Sequence, residues 1–316
     1  MFSAISQKSE KKSEWGLDMG YRIIFITNPC TLSVKNEQLV VDSAERISIP
    51  LEDIECIATD NMRIGYNTYF LTKAAEYGIT FYVTDRSHLP CGVFLPFAQH
   101  SRHLSVLKDQ LEMTEPTKKR LWKEIIIRKI ENQAAALRLS GVEDWREVDA
   151  IKSKVRSGDT SNMEGVAAAK YFKLMFGQVF TRSEENNINA ALNYGYAVLR
   201  STIAKNIAVY GFEPSLGLNH RSTLNNFNLA DDLIEPFRPF VDLYVKLKLN
   251  DISEFTPAVR ASIVDILNHD VLINGKRFAC ARAVEQEVMS LTSFLSNNTE
   301  ALSLPELILP ERHRYE

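Results

Sequence analysis

The stretch DDLIEPFRP, residues 231–239, places charged side chains inside a segment that is otherwise apolar. Asp232, Glu235 and Arg238 follow one another at intervals of three residues. Residues three apart lie on one face of a helix, so these side chains can point in the same direction. Carboxylate oxygens are the ligands that Mg²⁺ and Mn²⁺ prefer. The segment is therefore a candidate metal site, although Pro236 and Pro239 would interrupt a continuous helix.

Two further side chains could complete such a site. Glu164 stands near the start of a predicted helix in SGDTSNMEGVAAAKYF, and His220 stands in GLNHRS, a predicted loop. One imidazole and two carboxylates from three separate elements would make a mixed nitrogen and oxygen site for Mn²⁺ or Mg²⁺. Spacing alone does not show that Glu164, His220 and Glu235 converge.

Each candidate also has a purely structural interpretation. Ser161 and Glu164 fit a capping box, in which the glutamate reaches back to the first amide of its own helix. His220 could be a loop histidine that bonds to backbone. Glu235 and Arg238 could form a surface ion pair worth less than about 1 kcal/mol. The residues alone leave both interpretations open.

The elements that must position these residues fall into two parts. Residues 20–97 are rich in short β-branched runs, which predict strands. Asn36 and Glu37 form a tight hairpin connection between two of them, and a single helix at 68–77 ends before Gly78. The predicted strands are 22–27, 31–35, 38–42, 46–50, 54–60, 80–85 and 91–97.

From about residue 115 the apolar residues recur with a helical period. The predicted helices are 119–139, 163–177, 188–211, 229–249, 257–270 and 281–295, with a small hairpin at 271–278. The predicted fold class is a two-domain α+β protein. It has a disordered or tag-like extension at 1–18, a small N-terminal β-rich domain at 19–97, a connector at 98–116 and a larger all-α catalytic domain at 117–316.

Composition excludes several classes of protein. The 316 residues are 45% hydrophobic and 24% charged with a net charge of −3, which is typical of a soluble globular chain. No apolar run reaches the roughly 18–20 residues that a membrane span needs. The four cysteines lie far apart without a CxxC pair, which indicates reduced thiols in the cytoplasm. Residues 117–182 carry 14 Lys or Arg against 8 Asp or Glu, a local excess that could hold phosphates.

At these residues the sequence resembles the CRISPR-associated protein one family, the adaptation integrases and endonucleases. The resemblance runs from about residue 19 to 295 and depends on several motifs in the right order. It is most similar to members that accompany single-effector, Cas9-type systems, the type II-like branch. The motifs are MGYRIIFI, HSR at 100–102, SGDTSNMEGVAAAKYF, FTR followed by NAALNYGY, GFEPSLGLNHRS and FNLADDLIEPFRPFVD.

The resemblance implies roles for individual residues. Glu164, His220 and Glu235 match the metal ligands of the family, which would bind Mg²⁺ or Mn²⁺. The third ligand is often aspartate in relatives, and the glutamate here keeps the carboxylate on a longer side chain. Asp232 and Arg238 match positions that flank the active site. The prolines would shape the chain so that Glu235 meets His220 and Glu164.

The resemblance also implies a function and partners. The chain would insert short foreign DNA into a CRISPR array by metal-dependent transesterification. The two alternatives are a metal-dependent DNA-repair nuclease and a DNA-binding scaffold without chemistry of its own. Expected partners are double-stranded DNA, a second copy of the chain through the β-rich domain, a small ferredoxin-like second adaptation protein and the single-effector nuclease, with no membrane. The predicted DNA contacts are Lys118, Lys119, Arg120, Lys123, Arg128 and Tyr171.

Overall fold

A computed structural model describes residues 22–86, 90–94, 103–250, 252–296 and 299–314. The chain divides into two compact units, Met1–Gln99 together with Arg314–Glu316, and His100–His313. The predicted extension at 1–18 and the HSR motif at 100–102 lie outside the described residues. In the described part of the chain, no helix is long and apolar enough to cross a membrane.

The first unit is built from two four-stranded sheets. One has the order β1-β5-β7-β8, in which β1, β5 and β7 are parallel and β8 is antiparallel to β7. The other has the order β4-β3-β2-β6, in which only β2 and β6 are parallel. The elements are β1 (Arg22–Ile26), β2 (Cys30–Lys35), β3 (Gln38–Asp42), β4 (Arg46–Pro50), β5 (Ile54–Thr59), β6 (Ile64–Tyr66), α1 (Thr68–Glu76), β7 (Thr80–Thr84) and β8 (Pro90–Phe94).

The sequence dictates much of this unit. Asn36 and Glu37 both adopt positive φ, at 50° and 55°, as the tightest hairpin turns require, so the predicted β2–β3 hairpin is confirmed. Every residue of β5 is buried, as expected for a strand with a parallel neighbour on each side. The three-residue strand β6 was not predicted, because so short a segment carries no period.

The second unit is mainly helical but not all-α, which corrects the prediction. Strands β9 and β10 form an antiparallel hairpin, whose turn residues are Asn274 and Gly275, both with positive φ. The elements are α2 (His103–Glu112), α3 (Glu115–Leu139), α4 (Trp145–Asp149), α5 (Met163–Phe176), α6 (Asn187–Val209), α7 (Asn228–Leu233), α8 (Arg238–Lys248), α9 (Pro257–Val264), β9 (Asp270–Ile273), β10 (Lys276–Ala279) and α10 (Cys280–Leu295).

The predicted connector at 98–116 is also corrected over its described part. Helix α2 and the first residues of α3 occupy it, and both belong to the second unit. Gln110 of α2 is buried and its amide nitrogen donates to the carbonyls of Glu213 and Leu216, at 3.1 and 2.9 Å. These bonds fix α2 to the loop that leads toward His220.

The helical stretch predicted at 229–249 is divided by its prolines. Helix α7 ends at Leu233, a 3₁₀ turn covers Glu235–Phe237, and α8 begins at Arg238. Pro236 lies within the turn and Pro239 within the first turn of α8, where the missing N–H costs little. The break lets Glu235 leave the line of α7.

Asn132, at the middle of α3, ties the turn to the end of the chain. Its buried amide nitrogen donates to the carbonyls of Pro236 and Pro305, at 2.8 and 2.9 Å. Its amide oxygen accepts from the Leu307 N–H at 3.0 Å. One side chain therefore holds both the Glu235 turn and the final segment, residues 299–314.

Candidate active site

Glu164 is freed from helix capping by its neighbours. Asn162 caps α5, and its side-chain oxygen accepts from the Gly165 N–H at 3.1 Å. The Asp159 carboxylate accepts from the Glu164 N–H at 2.9 Å. The capping-box interpretation of Ser161 and Glu164 is therefore wrong, because other side chains bind the amides of this first turn.

Glu235 and Arg238 form a pair that is not a surface ion pair. Glu235 is 4% exposed, and Arg238 Nε donates to Glu235 Oε1 at 2.9 Å. The 3₁₀ turn aims the carboxylate inward, while the Arg238 side chain keeps 29% of its surface in solvent. A buried carboxylate needs such a partner to remain charged.

Lys129 brings the two glutamates together. Its Nζ lies 2.6 Å from Glu164 Oε1 and 2.5 Å from Glu235 Oε2, and the residue is 7% exposed. Lys129 was not among the site residues predicted from the sequence. The signal was available, because Lys129 interrupts the apolar face of α3 four residues after Ile125 and one before Ile130.

Each charged group in this cluster stabilises the charged form of its neighbours. Burial alone would raise the pKa of Glu235, but Lys129 and Arg238 outweigh it, so this pKa is lowered. Burial alone would lower the pKa of Lys129, but Glu235 and Glu164 outweigh it, so this pKa is raised. The cluster therefore holds charged carboxylates against charged nitrogen groups at neutral pH.

His220 is positioned by Asp232. The Asp232 carboxylate is fully buried and accepts from the backbone N–H groups of Leu218, Asn219 and His220, at 2.5, 3.0 and 3.1 Å. His220 Nδ1 lies 2.7 Å from Asp232 Oδ1. Since Nδ1 is engaged, Nε2 is the ring nitrogen that remains for a ligand. Gly217 is required here, because a Cβ at this position would lie 2.4 Å from the His220 carbonyl oxygen.

The imidazole lies within electrostatic reach of the carboxylates. The hydrogen bond that His220 donates to the Asp232 carboxylate raises the pKa of His220 most, and the charge of Glu235 raises it further. The His220 ring also packs edge-on against Trp122, with centroids 5.8 Å apart. In the part of the chain that the structure describes, however, no three His, Cys, Asp or Glu side chains are grouped as a metal site. The structure thus brings two of the three predicted ligands, Glu164 and Glu235, onto Lys129, and their convergence with His220 stays a prediction.

A cavity of about 260 Å³ adjoins the cluster. Its wall includes Asp242, whose carboxylate accepts a hydrogen bond from the Tyr196 hydroxyl. The guanidinium carbons of Arg238 and Arg182 lie 4.7 and 5.4 Å from the centroid of the Tyr196 ring. Arg182, Tyr196 and Asp242 were not predicted as site residues, although all three fall within the sequence motifs. The lining residues are Lys129, Gln133, Glu164, Ala168, Phe172, Arg182, Tyr196, Glu235, Arg238 and Asp242.

The predicted DNA-contacting residues differ in their exposure to solvent. Tyr171 is fully buried, and burial raises its pKa well above the usual value, so the prediction that it touches DNA is wrong. Arg128 is engaged with Glu131 and Glu306, at 3.3 and 3.5 Å. Contact of DNA with the basic side chains stays a prediction. Lys119 and Arg120 are exposed, while Lys118, Lys123 and Arg128 are partly exposed.

The fold is similar to those of several solved proteins. It is similar to a casposase bound to integration product, with a TM-score of 0.73 and 18% identity over 89% of this chain and 92% of that one. It is also similar to a chain of a Cas6-RT-Cas1–Cas2 complex, with a TM-score of 0.69 and 16% identity over 92% of this chain and 36% of that one. At these identities the likeness concerns the fold.

Sequence comparison identifies the family to which the chain belongs. The model of the CRISPR associated protein Cas1 family matches residues 24–253. The CRISPR-associated endonuclease Cas1 of Neisseria meningitidis serogroup C (strain 8013) is 40% identical over 308 residues, 94% of this chain and 100% of that relative. The chain therefore belongs to the Cas1 family, and the predicted family is confirmed.

Proposed function

We propose that this chain is a divalent-metal-dependent DNA integrase and endonuclease that inserts short foreign DNA into a CRISPR array. The observation that carries the proposal is the meeting of Glu164 and Glu235 on one positive charge, within electrostatic reach of His220. Membership of the Cas1 family supports it, because the named relative is an endonuclease. The similar casposase, which is bound to integration product, is compatible with insertion.

The residues fit a Mg²⁺ or Mn²⁺ ion. Lys129 Nζ occupies a point where two carboxylates stabilise positive charge, and carboxylate oxygens with an imidazole nitrogen suit these ions. Glu164, Glu235 and His220 Nε2 would hold the ion. When bound, it would polarise a phosphoryl oxygen and lower the pKa of an attacking hydroxyl.

The other side chains have separate tasks in the reaction. The attacking 3′-hydroxyl forms an oxygen–phosphorus bond with a phosphodiester of the array, and a DNA 3′-oxygen leaves. Arg238 holds a non-bridging oxygen of that phosphate, since its partly exposed side chain lines the cavity beside Glu235. Asp232 keeps the proton of His220 at Nδ1 and thereby directs Nε2 away from the loop. With water as the attacking group, the same site hydrolyses DNA.

The proposal extends to partners. The basic side chains Lys118, Lys119 and Arg120 contact the DNA backbone, which positions DNA without reading its sequence. The chain pairs with a second copy through its first unit and with a small ferredoxin-like second adaptation protein. The similar complex contains Cas1 and Cas2, which supports a partner of this kind. The type II-like branch, with a single-effector nuclease as a further partner, belongs to the same proposal.

Strand transfer into a plasmid that carries the matching array tests the proposal. The reaction contains Mn²⁺ or Mg²⁺ and the small partner, and compares wild type with Glu164→Ala, His220→Ala and Glu235→Ala. A matched control is Glu147→Ala, which removes an exposed carboxylate paired with Lys170. We expect insertion by wild type and the control only.

Other results would select an alternative. Metal-dependent cutting without insertion would favour the repair nuclease. Neither cutting nor insertion by folded protein with its partner would favour the DNA-binding scaffold. Normal insertion by His220→Ala would remove this histidine from the mechanism.

A further inference from the structure

We infer that Lys129 is a two-position residue whose ammonium group holds the metal ligands in the free protein and leaves them when a divalent cation binds. In its second position the ammonium bonds to Gln133 and faces the cavity, where a DNA phosphate can receive it. The inference rests on the proposed function, because it takes Glu164 and Glu235 as metal ligands.

The first position is the one that the structure shows. Lys129 Nζ lies within 2.6 Å of both Glu164 and Glu235, in the space between their carboxylates. An ion bound by those oxygens would have to occupy the same space. Lys129 and a divalent cation therefore exclude one another from this point.

Charge reinforces the exclusion. Lys129 and Arg238 already balance the two glutamates, so a divalent cation would add two positive charges to a buried cluster. Uncompensated charge of this kind is costly in a protein interior. DNA phosphates would supply the missing negative charge. Metal and DNA should therefore bind this site more tightly together than apart, and by linkage each should strengthen the other equally.

At the second position, the side-chain oxygen of Gln133 is the hydrogen-bond acceptor for the Lys129 ammonium group. Gln133 lies one helical turn after Lys129 on the same face of α3, and both line the cavity. Gln133 is 2% exposed, and its Oε1 has no hydrogen-bond partner in the described structure. A buried acceptor without a donor is rare and costly. A released Lys129 ammonium would satisfy it, and the cavity of about 260 Å³ gives the side chain room to turn.

Mn²⁺ binding to the free protein, without DNA, tests the inference by titration calorimetry. Lys129→Met removes the competing ammonium, so we expect Mn²⁺ to bind at least 10-fold more tightly than to wild type. Lys173→Met is the matched control, because it removes one exposed lysine from α5, the helix that carries Glu164. It should leave the affinity unchanged. Equal or weaker binding by Lys129→Met would overturn the inference.

A second variant protects the test against misfolding of the first. Gln133→Leu keeps Lys129 but removes its second position, so we expect Mn²⁺ affinity to fall about 3-fold or more. An unchanged affinity would overturn the role of Gln133. In melting curves, Mn²⁺ should raise the melting temperature of Lys129→Met more than that of wild type. Equal increments would contradict competition at the site.

The two proposals can fail separately. If Lys129→Met binds Mn²⁺ more tightly but wild type transfers no strands, the proposed function is wrong and the inference stands. If wild type inserts DNA while Lys129→Met and Gln133→Leu bind Mn²⁺ with the affinity of wild type, the inference is wrong and the function stands.

Discussion

Glu235 and Glu287 are both buried glutamates of the second unit, yet their environments act in opposite directions. Burial would raise the pKa of Glu235, but Lys129 and Arg238 reverse the effect, and this pKa is lowered. Burial raises the pKa of Glu287 well above its usual value. Neither carboxyl oxygen of Glu287 has a hydrogen-bond partner in the described structure. Burial therefore favours the neutral form of both glutamates, and the nearby cations reverse its effect at Glu235 alone of the two.

The difference separates the candidate site from a region with a structural role. Glu235 lines a cavity and stays charged, which is what a metal ligand requires. Glu287 lies inside α10, where burial raises its pKa, and it does not line that cavity. A strongly perturbed pKa is a sign of function only where a cavity and a partner accompany it. Asp242 is the intermediate case, because burial raises its pKa to about 6 while Tyr196 and two arginines oppose the rise.

Removing the charge of Glu235 should have the largest effect on stability. Glu235→Leu leaves Lys129 with one partner instead of two in a buried cluster, and such losses cost about 4 kcal/mol. Urea unfolding in EDTA at pH 7.5 measures the change. The double variant Lys129→Met/Glu235→Leu should recover part of it. A loss below about 0.5 kcal/mol would contradict the importance that we give to this ion pair.

Neutralising Glu287 should stabilise the protein, whereas neutralising Glu235 should destabilise it. Because its folded pKa is raised, the carboxyl favours the folded state only at low pH, and this contribution is lost as pH rises above the usual glutamate range. Glu287→Gln should therefore increase the free energy of unfolding at pH 7.5 by about 3 kcal/mol, the order of the desolvation cost of a buried group without a partner. The gain should vanish near pH 4. Glu285→Gln is the control on the same helix, and it should destabilise, because Glu285 accepts from Tyr210 and pairs with Arg282.

Asp242 should give a smaller effect with a defined pH window. Its pKa rises from 3.8 unfolded to about 6 folded, so its contribution to stability is complete below pH 3.8 and is lost as pH rises through 6. Wild type should lose about 2 kcal/mol more than Asp242→Asn between pH 4 and pH 7. Chemical denaturation at several pH values measures this difference. Parallel pH curves for the two proteins would show that Asp242 does not titrate in this window.

An exposed carboxylate should show the smallest effect. Glu147 pairs with Lys170, and both side chains keep more than a third of their surface in solvent, 53% and 41%. Glu147→Gln should therefore change the free energy of unfolding by less than about 0.5 kcal/mol. The change should also disappear in 1 M salt, which screens exposed pairs. A larger effect would mean that burial is not what distinguishes this pair from Glu235.

The sequence predicted what local chemistry decides. The β2–β3 hairpin followed from Asn36 and Glu37, and the long helices followed from their apolar periods. Motif order located Glu164 and Glu235, which the structure brings together. The break after α7 was foreshadowed by Pro236, whose ring cannot continue a helix.

What the sequence could not supply were contacts between distant segments. The position of Lys129 on an apolar helix face was a signal, but its partners Glu164 and Glu235 lie 35 and 106 residues away and its own segment does not reveal them. Asp159 has a positive φ, and its carboxylate accepts from the N–H of Glu164, five residues further along the chain. This bond takes the place of the one that Ser161 would make in a capping box. The sequence predicts a connector where α2 lies, because the attachment of α2 through Gln110 to the loop at 213–216 is not visible in its own residues.

The amide of Asn132 has a mechanical consequence. It links the final segment, residues 299–314, to the Pro236 carbonyl, and Pro236 is covalently joined to Glu235. Pulling or capturing that segment would transmit force to a metal-ligand candidate through a single side chain. A protein that binds this segment would therefore act on the position of Glu235. A fusion or tag placed there would change the force on Glu235.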